Sequence, residues 1–387
     1  MTIVLTLAAM FTLLLMRVPV AFALGGLGLA MLLLGGFSPL MAPQAVLSTL
    51  DGFILLAVPL FLLMSNILLR AGVGNDLFAA VSAWVGHWPG GLAVATILSC
   101  GVFAAISGSS VATAATIGTV AIPEMINRGY NKRFVYGLLA AGGTLGILIP
   151  PSIPMIIYGF ITEESVISLF LAGIGPGIAL LLFFIVFSMI YARMGGQELE
   201  PKKGWAERKR ATIRALPSVV LAVLIISGIY SGAFTPTEAA AIGFAAALII
   251  TGPIMRVLTW DALKKAVFDS MATTVAIILI IAGAKIFGKA ITLYRIPQDI
   301  SVMITQGVDT ELAFILIVTV VLLVMGLVFE ALSMVLIMTP VLLPAALALG
   351  FDPIWFGVYM VIMVECALIT PPAVSYTHLT LPTIYSV

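Results

Sequence analysis

The sequence has 387 residues, of which 62% are hydrophobic and only 9% are charged, and its mean hydropathy is +1.22. Ordinary soluble domains carry about 25% charged residues, so this composition excludes a soluble globular protein and indicates a chain embedded in a lipid bilayer. The 18 basic and 17 acidic residues nearly balance, and they give no indication of a nucleic-acid partner.

Long stretches of the chain lack Asp, Glu, Lys and Arg, and each is close to or above the ~20 residues that an α-helix needs to cross a bilayer. The stretches are continuously apolar, whereas the strands of a membrane β-barrel alternate apolar and polar residues. The sequence therefore predicts an all-α polytopic membrane protein. We expect helices at residues 2–34, 51–70, 77–87, 91–126, 133–148, 153–161, 166–194, 215–233, 237–255, 268–290, 311–328, 330–349 and 353–369.

A basic stretch at residues 195–214 separates two apolar halves of similar size. The positive-inside rule predicts that it is a cytoplasmic loop or an interfacial segment. We expect an N-terminal membrane half at 1–194 with a first repeat and a C-terminal membrane half at 215–374 with a second. No cleaved targeting segment is expected, because no basic region precedes the first apolar run. Residues 375–387 turn polar and contain Pro382, and we expect a non-native or artefactual tail there.

Helix-breaking residues recur at a fixed distance of 221 positions in the two halves. In a membrane protein, Gly- and Pro-interrupted apolar segments at corresponding positions of two halves point to the binding site of a transporter. We expect the chain to enter the membrane at these motifs, turn at the prolines and leave on the same side. The matching positions are Pro123 with Pro344, Gly129 with Gly350, Pro150 with Pro371, and Pro151 with Pro372.

The first-half motif combines hydroxyl groups with broken helices. Hard cations such as sodium prefer oxygen ligands, which hydroxyls and unwound backbone carbonyls both supply. We therefore predict a cation site that is completed by Gly146 and Pro150. The alternative is that small residues simply let helices pack closely, and we assign Ala112, Thr113 and Thr116 to such packing. The residues expected at the cation site itself are Ser107, Gly108, Ser109 and Ser110.

The second half carries acidic residues at the corresponding places. Glu330 matches Ser109 and lies between two charge-free runs, where an acidic side chain is costly and marks a functional site. Glu330 could help to hold a cation, cap a helix N-terminus or carry a proton. A second acid, Glu365, matches Thr144 of the first half. A structural salt bridge is the alternative for both acids.

Other charged residues are less specific. Lys285 and Lys289 lie on one helical face, where lysines commonly extend to the membrane interface, and binding of a substrate carboxylate is the alternative. The chain has no metal-binding His/Glu motif, no Ser-His-Asp set and no phosphate-binding loop. We therefore expect no enzyme and no cofactor.

Two runs of the first half resemble a known family. Residues Gly142–Gly159, GGTLGILIPPSIPMIIYG, and residues Ser107–Thr116, SGSSVATAAT, are similar to the large membrane subunit of tripartite ATP-independent periplasmic (TRAP) transporters. The pair Glu330–Ser333 and Ile369–Pro372 resembles the second-half counterpart in that family. The resemblance implies a second cation site, formed by Glu330, Ser333, Thr370 and Pro371. The resemblance covers residues 1–374 approximately.

The resemblance implies sodium-driven import of organic acids, such as sialic acids or C4-dicarboxylates, across the bacterial inner membrane. It implies two partners, a small four-helix membrane subunit and a periplasmic substrate-binding protein. It also implies two inverted repeats with re-entrant helical hairpins and broken helices, which form an elevator-type transport domain beside a scaffold. The organic acid is expected between the hairpins, near Thr144, Pro151, Ser152, Glu365 and Pro372.

Two alternatives to this function stay open. The first is a sodium/carboxylate symporter of similar design that needs no binding protein. The second is a non-transporting membrane scaffold, although Glu330 and the repeated proline breaks would serve no purpose there.

Overall fold

A computed structural model describes residues 2–16, 18–195, 201–307, 310–327 and 329–370. All regular elements within these ranges are helical, as the composition predicts. Six helices among them are long and apolar enough to cross a membrane, or seven when one bent pair counts as a single span. The expectation of an all-α polytopic membrane protein is confirmed.

Seventeen α-helices lie within the described ranges, together with a 3-10 turn at Phe53–Leu56 and a π-helical turn at Ile250–Ile254. The helices are α1 (Thr2–Leu15), α2 (Val20–Leu34), α3 (Met41–Leu50), α4 (Ala57–Arg70), α5 (Val73–Val85), α6 (Gly91–Ser107), α7 (Ser110–Asn127), α8 (Lys132–Leu148), α9 (Ile153–Thr162), α10 (Val166–Met194), α11 (Trp205–Tyr230), α12 (Pro236–Ile249), α13 (Trp260–Leu293), α14 (Ile296–Gly307), α15 (Glu311–Met325), α16 (Ala331–Ala348) and α17 (Pro353–Ile369).

The helices form two compact units that alternate along the chain. The first unit comprises the residues up to Leu55, Ile156–Ser165 and the residues from Met271 onward, and the second comprises Leu56–Met155 and Val166–Ser270. In the first unit α16 packs against α14 and α17, and α15 packs against α17. In the second unit α6 lies at the centre and contacts α5, α7, α8, α10 and α11.

Two of the expected long helices are interrupted. The expected helix 2–34 is divided into α1 and α2, and Pro19 stands immediately before α2 with extended backbone. Proline has no N–H group for the helical ladder and its ring clashes with the preceding turn, which explains the break. The expected helix 91–126 is likewise divided into α6 and α7, because Gly108 adopts a left-handed conformation with φ +62°.

The repeat in the sequence is also a repeat in the backbone. Helices α7 and α16 both have 18 residues, helices α8 and α17 both have 17, and all four boundaries of the second pair lie 221 positions after those of the first. The last residues before the two breaks, Ile149 and Thr370, have φ/ψ of −81°/120° and −78°/121°. Each pair packs closely along its length and forms a helical hairpin.

The turn of each hairpin lies at a glycine and not at the prolines, where we expected it. Gly129 has φ +80° and Gly350 has φ +87°, a left-handed conformation that glycine adopts without steric penalty. The amide of Tyr130 donates to the carbonyl of Met125 (3.1 Å), and the amide of Phe351 donates to the carbonyl of Ala346 (3.0 Å). These bonds close a helix C-terminus in the usual Schellman pattern, so the chain reverses between the paired helices.

The prolines produce a bend instead of a reversal. Helices α8 and α9 flank the Pro150–Pro151 pair, and their axes differ by 40°. Their combined length and composition are those of one interrupted span. The first hairpin is therefore followed by a broken helix that continues in a similar direction.

The basic segment is more helical than the sequence indicated. Helix α11 begins at Trp205, ten residues before the expected start, so the second half of the charged stretch extends an apolar span. In the second unit the guanidinium of Arg208 lies 5.2 Å from the ring centroid of Trp84, whose indole N–H donates to the hydroxyl of Thr212 (2.9 Å). The ring of Trp205 packs edge-on against Trp84. These contacts hold the start of α11 against α5.

The second helix of each hairpin starts with an N-cap of the same kind. The side chain of Asn131 accepts a hydrogen bond from the amide of Arg133 (2.9 Å), and that of Asp352 accepts one from the amide of Trp355 (2.8 Å).

Replacing either Asn131 or Asp352 by alanine removes the partner of a backbone amide, which typically destabilises the protein by about 1 kcal/mol. We expect Asn131→Ala and Asp352→Ala to lower the thermal unfolding midpoint by similar amounts in detergent. Asn131→Asp and Asp352→Asn keep a capping oxygen and serve as controls. A loss for only one of the two alanine variants would contradict equivalent hairpin turns.

Candidate functional site

The first helix break gathers polar atoms in the core of the second unit. Helix α6 ends at Ser107, Gly108 leaves the helical conformation, and Ser109 is the N-cap of α7 with extended backbone. The hydroxyl of Ser107, which is fully buried, lies 2.8 Å from that of Thr113, and the hydroxyl of Thr113 donates to the carbonyl of Ser109 (2.8 Å). Ser110 is buried at the first position of α7. The predicted residues are therefore brought together.

A second broken element completes this cluster. The amide of Ile153, at the start of α9, donates to the carbonyl of Gly108 (3.3 Å). A Cβ atom added to Gly108 would lie 2.7 Å from the carbonyl oxygen of Pro151. One added to Gly146 would lie 2.5 Å from the carbonyl oxygen of Ser109. Both glycines are therefore required for the close approach of the two breaks.

Thr113 lies in the hydroxyl cluster, although the sequence analysis did not include it there. We assigned it to packing between helices, but its hydroxyl connects Ser107 to the carbonyl of Ser109 and would lie 2.7 Å from a Cβ at Gly146. The sequence places Thr113 four residues after Ser109, but only the structure shows that its hydroxyl lies beside that of Ser107 across the break. The cluster offers three hydroxyls and several backbone carbonyls, which are the neutral oxygen ligands that suit a monovalent cation.

The residues expected near the substrate lie beside the first break. Thr144 is buried, and its hydroxyl donates to the carbonyl of Ala141 (2.6 Å) within α8. Ser152 is fully buried and its hydroxyl accepts from the amide of Met155 (3.4 Å), so it caps α9. Pro150 and Pro151 are both buried and are joined by a cis peptide bond. These side chains line the same break as the hydroxyl cluster.

The second helix break lies in the first unit. Its backbone conformation matches that of the first break, but its side chains differ. Glu330 occupies the N-cap position of α16 with extended backbone, as Ser109 does for α7. The hydroxyl of Ser333, which is fully buried, donates to the carboxylate of Glu330 (3.4 Å). Glu330 itself is exposed. Met334 occupies the position that matches Thr113, so a carboxylate replaces part of the hydroxyl cluster.

The other predicted second-half residues lie on α17 or beyond it. Glu365 is buried with 4% of its surface exposed, one turn before the end of the helix. Thr370 is exposed at the C-cap, and its hydroxyl donates to the carbonyl of Cys366 (2.7 Å). A Cβ on Gly326, just after α15, would overlap that of Ala367, so these helix ends are in close contact. Pro371 and Pro372 lie outside the described residues.

A family model described as the DctM component of the tripartite ATP-independent periplasmic transporters matches residues 7–380. The C4-dicarboxylate TRAP transporter large permease protein DctM of Pseudomonas aeruginosa is 41% identical over 324 residues, which are 84% of this chain and 76% of that protein. The sialic acid TRAP transporter large permease protein SiaM of Vibrio cholerae is 34% identical over 92% of this chain and 83% of its own length.

One solved structure shares the fold without close sequence similarity. The YdaH transporter of Alcanivorax borkumensis superposes with a TM-score of 0.57 over 88% of this chain and 80% of that chain, at 14% identity. At this identity the likeness concerns the arrangement of helices alone.

The close approach at Gly146 gives a direct test of the first cluster. We expect Gly146→Ala to push α8 away from the start of α7, because its Cβ would overlap the Ser109 carbonyl and the Thr113 hydroxyl. Overpacking of this kind typically destabilises by about 1–3 kcal/mol, which a fall in the thermal unfolding midpoint would measure. Gly137→Ala is the matched control, since it lies in the same helix with nothing within 4 Å of the added Cβ. Equal midpoints for the two variants would contradict the described packing.

Proposed function

Because this chain belongs to the family of DctM components of tripartite ATP-independent periplasmic transporters, we propose that it imports an organic acid by coupling its uptake to sodium ions. The chain is a multi-pass protein of the inner membrane. The sodium ions bind at the two helix breaks, one at the hydroxyl cluster around Gly108 and one beside Glu330. The matched backbone of the two breaks is the observation that carries this proposal.

The oxygen atoms at the first break support a sodium site. An interrupted helix exposes carbonyl groups of its C-terminal end, which carry partial negative charge. The carbonyl of Ser109 already accepts from both the amide and the hydroxyl of Thr113, so Ser107, Thr113 and Ser109 form one connected set of oxygen atoms. Gly146 and Pro150 bring the end of α8 to the same place. A monovalent cation fits such a neutral, buried and oxygen-rich site.

At the second break, Glu330 gives the sodium site its own negative charge. Its position at the N-terminus of α16 is favourable for a carboxylate, because the helix dipole is positive there. Ser333 is within hydrogen-bond distance of the carboxylate and adds an oxygen ligand. Thr370 and Pro371 are the further residues that we assign to this site. Glu365, buried one turn before the end of α17, is assigned with Pro372 to recognition of the substrate.

The substrate class is suggested by the relatives. Proteins similar to this chain are named for C4-dicarboxylates, sialic acid and 2,3-diketo-L-gulonate, which all carry at least one carboxylate. A carboxylate is attracted to the positive N-terminal ends of interrupted helices, and α7 and α16 each present such an end. We assign Thr144, Pro151 and Ser152 to the substrate side of the first break. A C4-dicarboxylate is the first compound to test.

The family's transporters are tripartite and periplasmic. For this chain we propose a small four-helix membrane subunit and a soluble periplasmic protein that delivers the organic acid. We also propose an elevator-type movement in which the two hairpins, α7–α8 and α16–α17, carry the bound ions and substrate. The structural repeat supports this assignment because both hairpins end at a binding break.

Sodium binding predicts an ion-specific gain in stability. A ligand that binds only the folded state stabilises it by about 2.7 kcal/mol when its concentration is 100 times its dissociation constant. We expect a higher thermal unfolding midpoint in sodium chloride than in potassium chloride at equal ionic strength. Ser107→Ala and Glu330→Ala should each reduce this difference, because each removes an oxygen ligand from one break.

A capping control separates ion binding from general destabilisation. Thr235→Ala removes the N-cap of α12, whose hydroxyl accepts from the amide of Glu238 (3.3 Å), at a place remote in sequence from either break. It should lower the midpoint equally in sodium and in potassium, so the difference between the two salts stays that of the wild type. An identical midpoint in both salts for the wild type would refute the sodium sites.

Uptake assays address the partners. In proteoliposomes containing this chain and its small membrane subunit, we expect accumulation of a radiolabelled C4-dicarboxylate only with an inward sodium gradient and added binding protein. The reason is that the family's systems have three components. Uptake that proceeds equally well without the binding protein would instead identify a two-component or single-component symporter.

A further inference from the structure

A cavity of about 550 Å³ lies within the first unit and takes no part in either helix break. Residues of α3, α9, α13 and α16 surround it, and its volume is in the range of small-molecule sites. Among the residues that the structure describes, its polar lining consists of Gln44, Ser48, Lys285, Lys289 and Thr292, and none of these lining residues is acidic. The remaining lining is apolar and includes Leu336 and Pro340 of α16. The cavity is therefore positively charged and open to a ligand.

The polar groups converge because of helical spacing. Lys285 and Lys289 are four residues apart on α13, and Gln44 and Ser48 are four residues apart on α3. Side chains at this spacing lie on one face of a helix. Two helices thus present a polar pair to the same space. Thr292 and Ser48 use their hydroxyl hydrogens within their own helices, on the carbonyls of Gly288 and Ala45, which leaves the lysines and Gln44 as the available donors.

The positive charge of the lysines is only partly offset by the protein. The Lys285 ammonium lies 4.6 Å from the ring centroid of Phe160, which satisfies one side of it by a cation–π contact. Within the described part of the chain, neither lysine makes an ion pair. Glu163 acts electrostatically on Lys285 but lies beyond ion-pair distance. Two like charges four residues apart repel each other, and an anion would remove that repulsion.

The position of Lys285 argues against simple extension to the membrane interface. The side chain is only half exposed and lies under an aromatic ring, whereas Lys289 is exposed one turn later. Fifteen uncharged residues separate it from Asp269, the preceding charge on α13. A lysine that merely reaches the lipid headgroups needs no cavity around it, and a buried charge needs a partner.

We propose that this cavity binds an anionic group, a carboxylate or a phosphate, between Lys285 and Lys289. The side-chain amide of Gln44 donates a further hydrogen bond, and Leu336 and Pro340 contact the apolar part of the ligand. The anion comes either from a small organic acid or from the headgroup of an acidic phospholipid. If the ligand is a small organic acid, the cavity is a second binding site for the substrate class, and this part of the proposal rests on the proposed function.

The test uses the full chain in nanodiscs, with potassium as the only monovalent cation, so that its outcome does not depend on sodium coupling. The thermal unfolding midpoint is measured in phosphatidylcholine discs with potassium succinate or with potassium chloride of equal ionic strength. A parallel arm compares discs of phosphatidylcholine with discs that contain phosphatidylglycerol. Lys285→Gln and Lys289→Gln remove the charges one at a time. Lys264→Gln is the matched control, because Lys264 is exposed on the same helix and stacks on Trp260 at 5.5 Å, outside the cavity.

We expect one of the two anions to raise the midpoint of the wild type and of Lys264→Gln. Titration of that anion should give an affinity reduced roughly tenfold or more in Lys285→Gln and Lys289→Gln, as for loss of a charged hydrogen-bond donor. A lysine-dependent effect of succinate identifies a carboxylate ligand, and one of phosphatidylglycerol identifies a lipid phosphate. Lys285→Arg keeps the charge and should keep binding, which distinguishes lost recognition from misfolding. The proposal fails if neither anion stabilises the wild type, or if Lys264→Gln loses as much affinity as Lys285→Gln.

Discussion

Backbone hydrogen bonding inside a hydrocarbon layer is the constraint on which this structure depends. Amide and carbonyl groups of an interrupted helix find no water there, and each unsatisfied group is costly. At the first break the two interruptions satisfy each other, because the amide of Ile153 donates to the carbonyl of Gly108. That contact requires a residue without a side chain at position 108, and the approach of α8 requires another at 146. The glycines, the prolines and the hydroxyl groups around them therefore depend on one another for their positions at the break.

Much of the fold could be predicted because charge and proline mark helix boundaries in an apolar chain. Helices α10 and α17 begin and end where the sequence indicated, since charged or helix-breaking residues flank them. Helices α3 and α14 were missed. Each is short and mixes polar with apolar residues, so neither forms a long apolar run. The early start of α11 was missed as well, because it depends on the contact of Arg208 with Trp84, which is distant in the sequence.

The two helix breaks could be located from the sequence, but the contacts at them could not. The fixed distance of 221 positions located both breaks, and the structure repeats that distance in every boundary of the two hairpins. Sequence alone could not decide where the hairpins turn, because Gly129 and Pro150 both interrupt helices. Nor could it separate Thr113 from Thr116, since both are buried hydroxyls on α7. Only the position of Ser107 across the break shows which hydroxyl belongs to the cluster.

The substitution of Glu330 for Ser109 has an electrical consequence for a carrier of the proposed kind. A sodium ion at the first break is bound only by neutral oxygen atoms, so the loaded first site keeps a full positive charge. A sodium ion beside Glu330 is neutralised by the carboxylate, so the loaded second site carries no net charge when the carrier moves. Each elementary charge that crosses the membrane exchanges about 2.3 kcal/mol with a potential of 100 mV. Over a whole cycle each imported sodium ion still carries one charge across, because the empty carrier would return with the carboxylate of Glu330 unpaired. Two copies of one backbone would thus draw on the membrane potential at different steps, the first when the loaded carrier moves and the second when the empty carrier returns.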